Sequence, residues 1–120
     1  MDYAELLQQV QAAAALDRAT AERVLWATTV TLAERLSRHD LAQLRLRLPE
    51  ELQAALAAGS PTCRPFDADE FVDRVAERLE AQPQVVWTQV RAVLGTLDRE
   101  VAELEALRRR LPREFGALMA

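Results

Sequence analysis

The opening of the chain, MDYAELL at residues 1–7, returns 65 positions later as FDADEFV at residues 66–72. In both copies an Asp precedes an apolar run and a Glu follows that Asp by three residues, which is the spacing of a capping box at a helix start. Apolar residues one helical turn apart follow each box, so both copies predict an amphipathic helix. Self-similarity at a fixed spacing indicates an internally repeated fold.

The match continues to the end of both copies. After a gap of two residues the offset becomes 63, and LPEEL at residues 48–52 aligns with LPREF at residues 111–115. The only cluster of Pro, Gly and Ser is GSPTCRP at residues 59–65, which predicts a linker. We therefore expect two internal repeats, at residues 1–58 and 66–120, joined by this linker.

Each repeat is predicted to contain four helices. The second helix should start after Asp17 in the first repeat and at Pro83 in the second, and a third should start after Ser37. Each Leu-Pro step should end one helix and begin the next, and Gly59 should stop the fourth. The second helix of the first repeat is expected to bury one face, formed by Val24, Leu25, Thr28, Thr31, Leu32 and Leu36.

No segment alternates apolar and polar residues with a period of two, so we assign no strands. A repeat of roughly 55–60 residues is only marginally stable by itself. The fold expected is therefore an all-α helical bundle, in which two similar four-helix repeats pack as a single domain over residues 1–120.

Composition excludes several classes of protein. The 120 residues carry a net charge of −4, with one His and one Cys. Binding to nucleic acid is not expected, because phosphate contacts need concentrated basic charge. One His and one Cys cannot build the usual zinc or iron sites, so we expect no metal and no cofactor. No run of apolar residues is long enough to span a membrane.

The sequence also suggests a source and a compartment. The first residues lack the basic and apolar regions of a secretory signal, and the lone thiol of Cys63 is typical of a reducing compartment. All 15 basic residues are Arg, and the chain is rich in Ala and Leu, which is typical of GC-rich codon usage. We therefore expect a cytoplasmic protein from a bacterium.

Candidate catalytic residues are few. His39 is predicted to lie in an exposed turn beside Asp40, and Cys63 has no His nearby in sequence to activate it. With three glycines, the chain has no Gly-rich phosphate loop and no nucleophile-elbow motif. The carboxylates at the helix starts could pair across a pseudo-twofold axis, but capping already accounts for them. We therefore expect that the protein is not an enzyme.

An apolar pair on the second helix is the first candidate partner surface. Trp26 and Val30 lie roughly opposite the expected core face, so this helix is apolar on both sides. The equivalent positions of the second repeat are Arg91 and Gly95, so the repeat fold does not require the pair. Burial against the other half is our first interpretation, and a surface for a protein partner or a homodimer is the second.

A basic cluster is the second candidate. It comprises Arg108, Arg109, Arg110 and Arg113. The cluster could bind a phosphate or an acidic partner. Arg residues near a helix C-terminus also complement the helix dipole and pair with acidic neighbours, and this interpretation is the simpler one.

The duplicated Asp-x-x-Glu opening, the long second helix with Thr-Leu, and the closing Leu-Pro-x-Glu motif resemble a bacterial family catalogued as domain-of-unknown-function family 2267. The resemblance covers essentially the whole chain, including Thr31-Leu32 and Thr96-Leu97. It implies an all-helical bacterial protein. It implies no activity, cofactor or catalytic residue.

These observations predict a non-enzymatic protein-interaction or structural module. The alternative is a helical bundle that binds a small apolar ligand or a lipid between its two halves, which the aliphatic cores permit. A nucleic-acid regulator that uses the basic cluster is disfavoured by the net negative charge.

We expect the untagged protein to purify without a stoichiometric metal, because its scattered carboxylates, one His and one Cys do not provide a transition-metal shell. Elemental analysis checks this expectation. Zinc or iron present at one atom per chain would contradict it.

Overall fold

The computed structural model describes residues 2–59 and 65–100, which form six α-helices. They are α1 (Tyr3–Ala14), α2 (Arg18–Arg35), α3 (Arg38–Arg45), α4 (Glu50–Ala58), α5 (Ala68–Leu79) and α6 (Pro83–Glu100). These two ranges contain no strand, so the all-α class is confirmed. The helices predicted beyond residue 100 lie outside the described residues.

Helix α2 lies at the centre of the described fold, where it packs against α1, α4, α5 and α6. The face predicted from the sequence is buried, and so are residues on the other sides of this helix. A helix that is covered on most sides needs apolar or internally bonded side chains all round, rather than a single apolar stripe. The remaining helices are therefore arranged around α2.

The two Asp residues of the repeated boxes cap their helices as predicted, through the bond from the N–H three residues later. The Asp2 carboxylate accepts a hydrogen bond from the backbone N–H of Glu5 at 2.8 Å, and Asp67 accepts one from Glu70 at 2.9 Å. Each bond satisfies one of the N–H groups that the first turn of a helix leaves without a partner. The start of α1 and the start of α5 thus use the same device.

The predicted starts of the next helices are also confirmed. Asp17 caps α2 by accepting from the N–H of Thr20, and Ser37 caps α3. Hydrogen bonds from Thr20 lower the pKa of the Asp17 carboxyl. Helix α6 begins at Pro83, whose fixed φ suits the first helical position.

The pair α1–α2 resembles the pair α5–α6. Helices α1 and α5 have 12 residues each, and α2 and α6 have 18 each. Ala15 and Glu80, which lie 65 positions apart, both end their helices in the left-handed region, with φ of 55° and 53°. Backbone bonds close both ends in the same way, from Leu16 to Gln11 and from Ala81 to Ala76.

The end of α4 lies close to α2. Gly59 follows the last residue of α4, as predicted, but its φ of −76° is not left-handed. A Cβ atom at this position would lie 2.7 Å from the carbonyl oxygen of Val30 and 3.0 Å from the Cβ of Ala33. Gly59 is therefore required by the close approach of α4 to α2, and not by a helix-ending turn.

The caps provide a test of these helix starts. We expect Asp67→Ala to lower the free energy of unfolding by about 1 kcal/mol, because it leaves a first-turn N–H without its acceptor. Asp2→Ala removes the equivalent acceptor at the start of α1 and should also lower the free energy of unfolding. Urea melts of both variants measure the difference, and an unchanged midpoint for Asp67→Ala would contradict the assignment of the start of α5.

Candidate functional site

Trp26 and Val30 do not share one environment, although they are one helical turn apart on α2. Trp26 is 44% exposed, whereas Val30 is only 3% exposed. The first interpretation, burial against the other half, is therefore wrong for Trp26. The reason is the position of α4, whose end at Gly59 meets the backbone of α2 at Val30 and leaves Trp26 one turn beyond it.

A depression open to solvent lies beside Trp26, between α2 and the C-terminal ends of α4 and α5. Its volume is about 400 Å³. We call it the Trp26 groove. It is lined by Arg23, Trp26, Ala27, Val30, Ala58, Arg78 and Leu79. The described lining therefore combines apolar side chains with two arginines and contains no acidic residue.

Hydrogen bonds hold both arginines of the groove in place. The guanidinium of Arg23 donates to the backbone oxygen of Leu79 at 3.3 Å, where it meets the carbonyl end of α5. Arg78 donates to the hydroxyl of Thr31 at 2.7 Å and forms an ion pair with Glu34 at 2.7 Å. Since a guanidinium has five N–H donors, both groups retain donors for a further acceptor.

Glu34 is the centre of a charged network behind the groove. It is only 8% exposed, near the C-terminal end of α2, and it accepts from Arg78 and, at 3.4 Å, from Arg74. Arg74 also pairs with Glu70 at 2.6 Å. A buried carboxylate is costly without partners, so the two arginines of α5 make its position on α2 tolerable.

The chain segment before α5 joins the same network. The guanidinium of Arg74 lies 3.9 Å from the centre of the Phe66 ring, and Phe66 contacts Phe71 at a ring separation of 6.3 Å. Arg35 donates from its Nε to the backbone oxygen of Phe66 at 2.7 Å. Helix α5 is thereby fixed against α2 at its start as well as along its length.

The other sequence candidates lie away from this groove or outside the described residues. His39 lies exposed in the first turn of α3, as predicted. No three His, Cys, Asp or Glu side chains converge as metal ligands within residues 2–59 and 65–100. Cys63 and the basic cluster (Arg108, Arg109, Arg110 and Arg113) lie outside the described residues.

Burial raises the pKa of the Tyr3 phenol, and the nearby carboxylate of Glu22 adds to that shift. Tyr3 packs at the start of α1 against the first turns of α2, so the shift has a local structural cause. This pKa shift therefore does not indicate a cluster of titratable groups around the Trp26 groove. None of the described helices is long and apolar enough to cross a bilayer.

Sequence reasoning identified Trp26 but missed Arg23, Arg78 and Glu34. The spacing of Glu70 and Arg74 by four residues was a local signal for an ion pair on α5. No such signal connects Glu34 with Arg74, because these residues are 40 positions apart in sequence. Their contact depends on how α5 packs across α2.

The network provides a second test. We expect Glu34→Gln to lower the free energy of unfolding by about 1–2 kcal/mol, less than for a fully buried pair because both arginines are partly solvated. Glu77→Gln is the matched control, because Glu77 is an exposed residue of α5 for which no ion pair occurs among the described residues. Equal urea midpoints for the two variants would show that the network does not stabilise the fold.

The sequence of the chain matches a known protein family. A family model described as "Uncharacterized conserved protein (DUF2267)" matches residues 3–118, which is nearly the whole chain. No curated protein matches the chain.

Proposed function

The chain belongs to the DUF2267 family, whose description names no activity, and we propose that it is a non-enzymatic protein-interaction module that acts through the Trp26 groove. The proposed occupant is a protein segment that places an apolar side chain beside Trp26 and an acidic side chain beside Arg23 and Arg78.

The exposure of Trp26 is the observation that carries this proposal. A single exposed tryptophan is tolerated on a protein surface. Trp26, however, is 44% exposed and lies next to the apolar residues that line the groove. Tryptophan is enriched among the residues that contribute most to protein interfaces, because its large rigid ring buries much area at little entropic cost. The groove is therefore suited to bind one anchoring side chain.

Charge favours an acidic partner. The described groove lining is basic, although the chain as a whole carries a net charge of −4. Complementary charge steers a partner to the correct patch and disfavours wrong partners. A symmetric homodimer through this groove is the weaker alternative, because a twofold contact brings the same basic patch against itself.

The packing between the two described helix pairs favours this proposal over an apolar ligand bound between the halves. Helices α1 and α2 contact α6, and α2 also contacts α5. The core residues along these helices include Leu25, Phe71, Val90 and Val93, each 0% exposed. The close packing of these described side chains supports the interaction module over a ligand site between the two helix pairs.

We also propose that the whole chain is a duplication of a four-helix unit, at residues 1–58 and 66–120, in a protein of the bacterial cytoplasm. The matching lengths, caps and helix ends of α1–α2 and α5–α6 support the duplication. Arginine-only basic residues and a lone thiol support the source and the compartment.

The first test concerns stability. We expect Trp26→Ala to change the free energy of unfolding by less than about 1 kcal/mol, whereas truncating a core aromatic typically costs about 3–5 kcal/mol. A small effect in urea melts agrees with a ring kept at the surface. A loss of several kcal/mol would instead assign Trp26 to the fold.

The second test concerns binding. The wild-type protein and three variants are used as baits in cell extract from the source organism, with captured proteins quantified by mass spectrometry. We expect one stoichiometric partner that is lost with Trp26→Ala and Arg23→Glu. The partner should be retained with the control Val85→Ala, which truncates an exposed apolar residue of α6.

Two results would contradict the proposal. One is equal capture by all four baits, which would place the interaction elsewhere. The other is a concentration-dependent dimer in sedimentation that Trp26→Ala dissociates, because the groove would then bind a second copy of the chain instead of an acidic partner.

A further inference from the structure

The second tryptophan lies beside a separate depression, where the first turns of α5 meet the first turns of α6. Its volume is about 480 Å³. We call it the Trp87 corner. It is lined by Asp69, Val72, Asp73, Pro83, Gln84 and Trp87. An aromatic ring and apolar side chains thus lie beside two carboxylates in an open concave surface.

The two carboxylates of the Trp87 corner lie one helical turn apart on α5. Asp69 and Asp73 are both exposed, and neither has an ion-pair or hydrogen-bond partner among the described residues. Like charges four residues apart destabilise a helix slightly, whereas the neighbouring Glu70 is paired with Arg74. The helix dipole favours Asp69 in the first turn, but it does not account for Asp73 in the second.

The aromatic ring of Trp87 offers a face over which a cation can bind. Its ring is partly buried and packs against the hydrophobic core, so its position is held by the fold. The rest of the ring borders the depression. Tryptophan is the side chain that attracts cations most strongly through its ring face, and nearby carboxylates add direct charge attraction.

The first helix pair lacks the equivalent of this corner. The positions 65 residues before Asp69, Asp73 and Trp87 are Ala4, Gln8 and Glu22. The repeated fold therefore does not require two carboxylates and a tryptophan at this place, and their combination is particular to the second helix pair.

We propose that the Trp87 corner binds a basic side chain, an arginine or a lysine, from a segment of another protein. The guanidinium or ammonium lies over Trp87 and between the carboxylates of Asp69 and Asp73. The site is independent of the Trp26 groove, which has the opposite charge and a different tryptophan.

The chain allows each tryptophan to be observed alone, because it contains only Trp26 and Trp87. In the Trp26→Phe variant, fluorescence reports on Trp87 and the Trp26 groove has lost its anchor. The probe is an acetylated and amidated tri-arginine peptide, titrated at physiological ionic strength, where charges are screened over about 8 Å. The control probe is the same peptide with citrulline, which keeps the shape of arginine but removes its charge.

We expect a saturable change of Trp87 fluorescence with the arginine peptide and none with the citrulline peptide. Asp73→Asn should weaken binding by up to about 5-fold, the range of an exposed ion pair, and Asp69→Asn combined with Asp73→Asn should weaken it by about 10-fold. Glu77→Gln, which removes one negative charge one turn away on the same helix, should change binding by less than about 2-fold. Circular dichroism confirms that each variant is folded.

Three results would overturn the proposal: no saturable change with the arginine peptide, an equal change with the citrulline peptide, or equal weakening by Glu77→Gln and Asp73→Asn. The last result would show that the peptide responds only to the overall negative charge of the chain. Because Trp26 is absent from the reporter variant, none of these results bears on the Trp26 groove.

Discussion

The burial of α2 among four other helices is the constraint on which the rest of the described structure depends. The buried polar side chains of such a helix must find hydrogen-bond partners within the protein, because water does not reach them. Thr29 and Thr31 do so by donating to the backbone oxygens of Leu25 and Ala27, at 2.7 and 2.8 Å. Thr28 is the exception, because its buried hydroxyl has no partner among the described residues.

The same helix connects the fold to the candidate site. Arg78 of α5 bonds to Thr31 and Glu34 on α2, and its guanidinium also borders the Trp26 groove. Arg23 extends from α2 to the carbonyl end of α5. The contacts between α5 and α2 therefore include hydrogen bonds made by both arginines that line the groove.

The features that the sequence predicts correctly are those with a local cause. Asp67 and Ser37 mark helix starts because a cap needs only the next three residues. The difference in exposure between Trp26 and Val30 has no local cause, because it depends on where α4 packs against α2 near Gly59. The arginines of the Trp26 groove and the Trp87 corner could not be predicted for the same reason. The groove combines side chains of helices that are distant in sequence. The Trp87 corner combines side chains of two helices that are joined by a turn.

Native-state hydrogen exchange tests most directly the claim that α2 is the central element. We expect the amides of residues 24–33 to exchange only through global unfolding, with an opening free energy equal to the unfolding free energy from urea melts. Amides of α3, which contacts little besides α4, should open at a lower free energy. If the α2 amides exchange at a lower free energy than those of α1 and α5, α2 is not the central element of the fold.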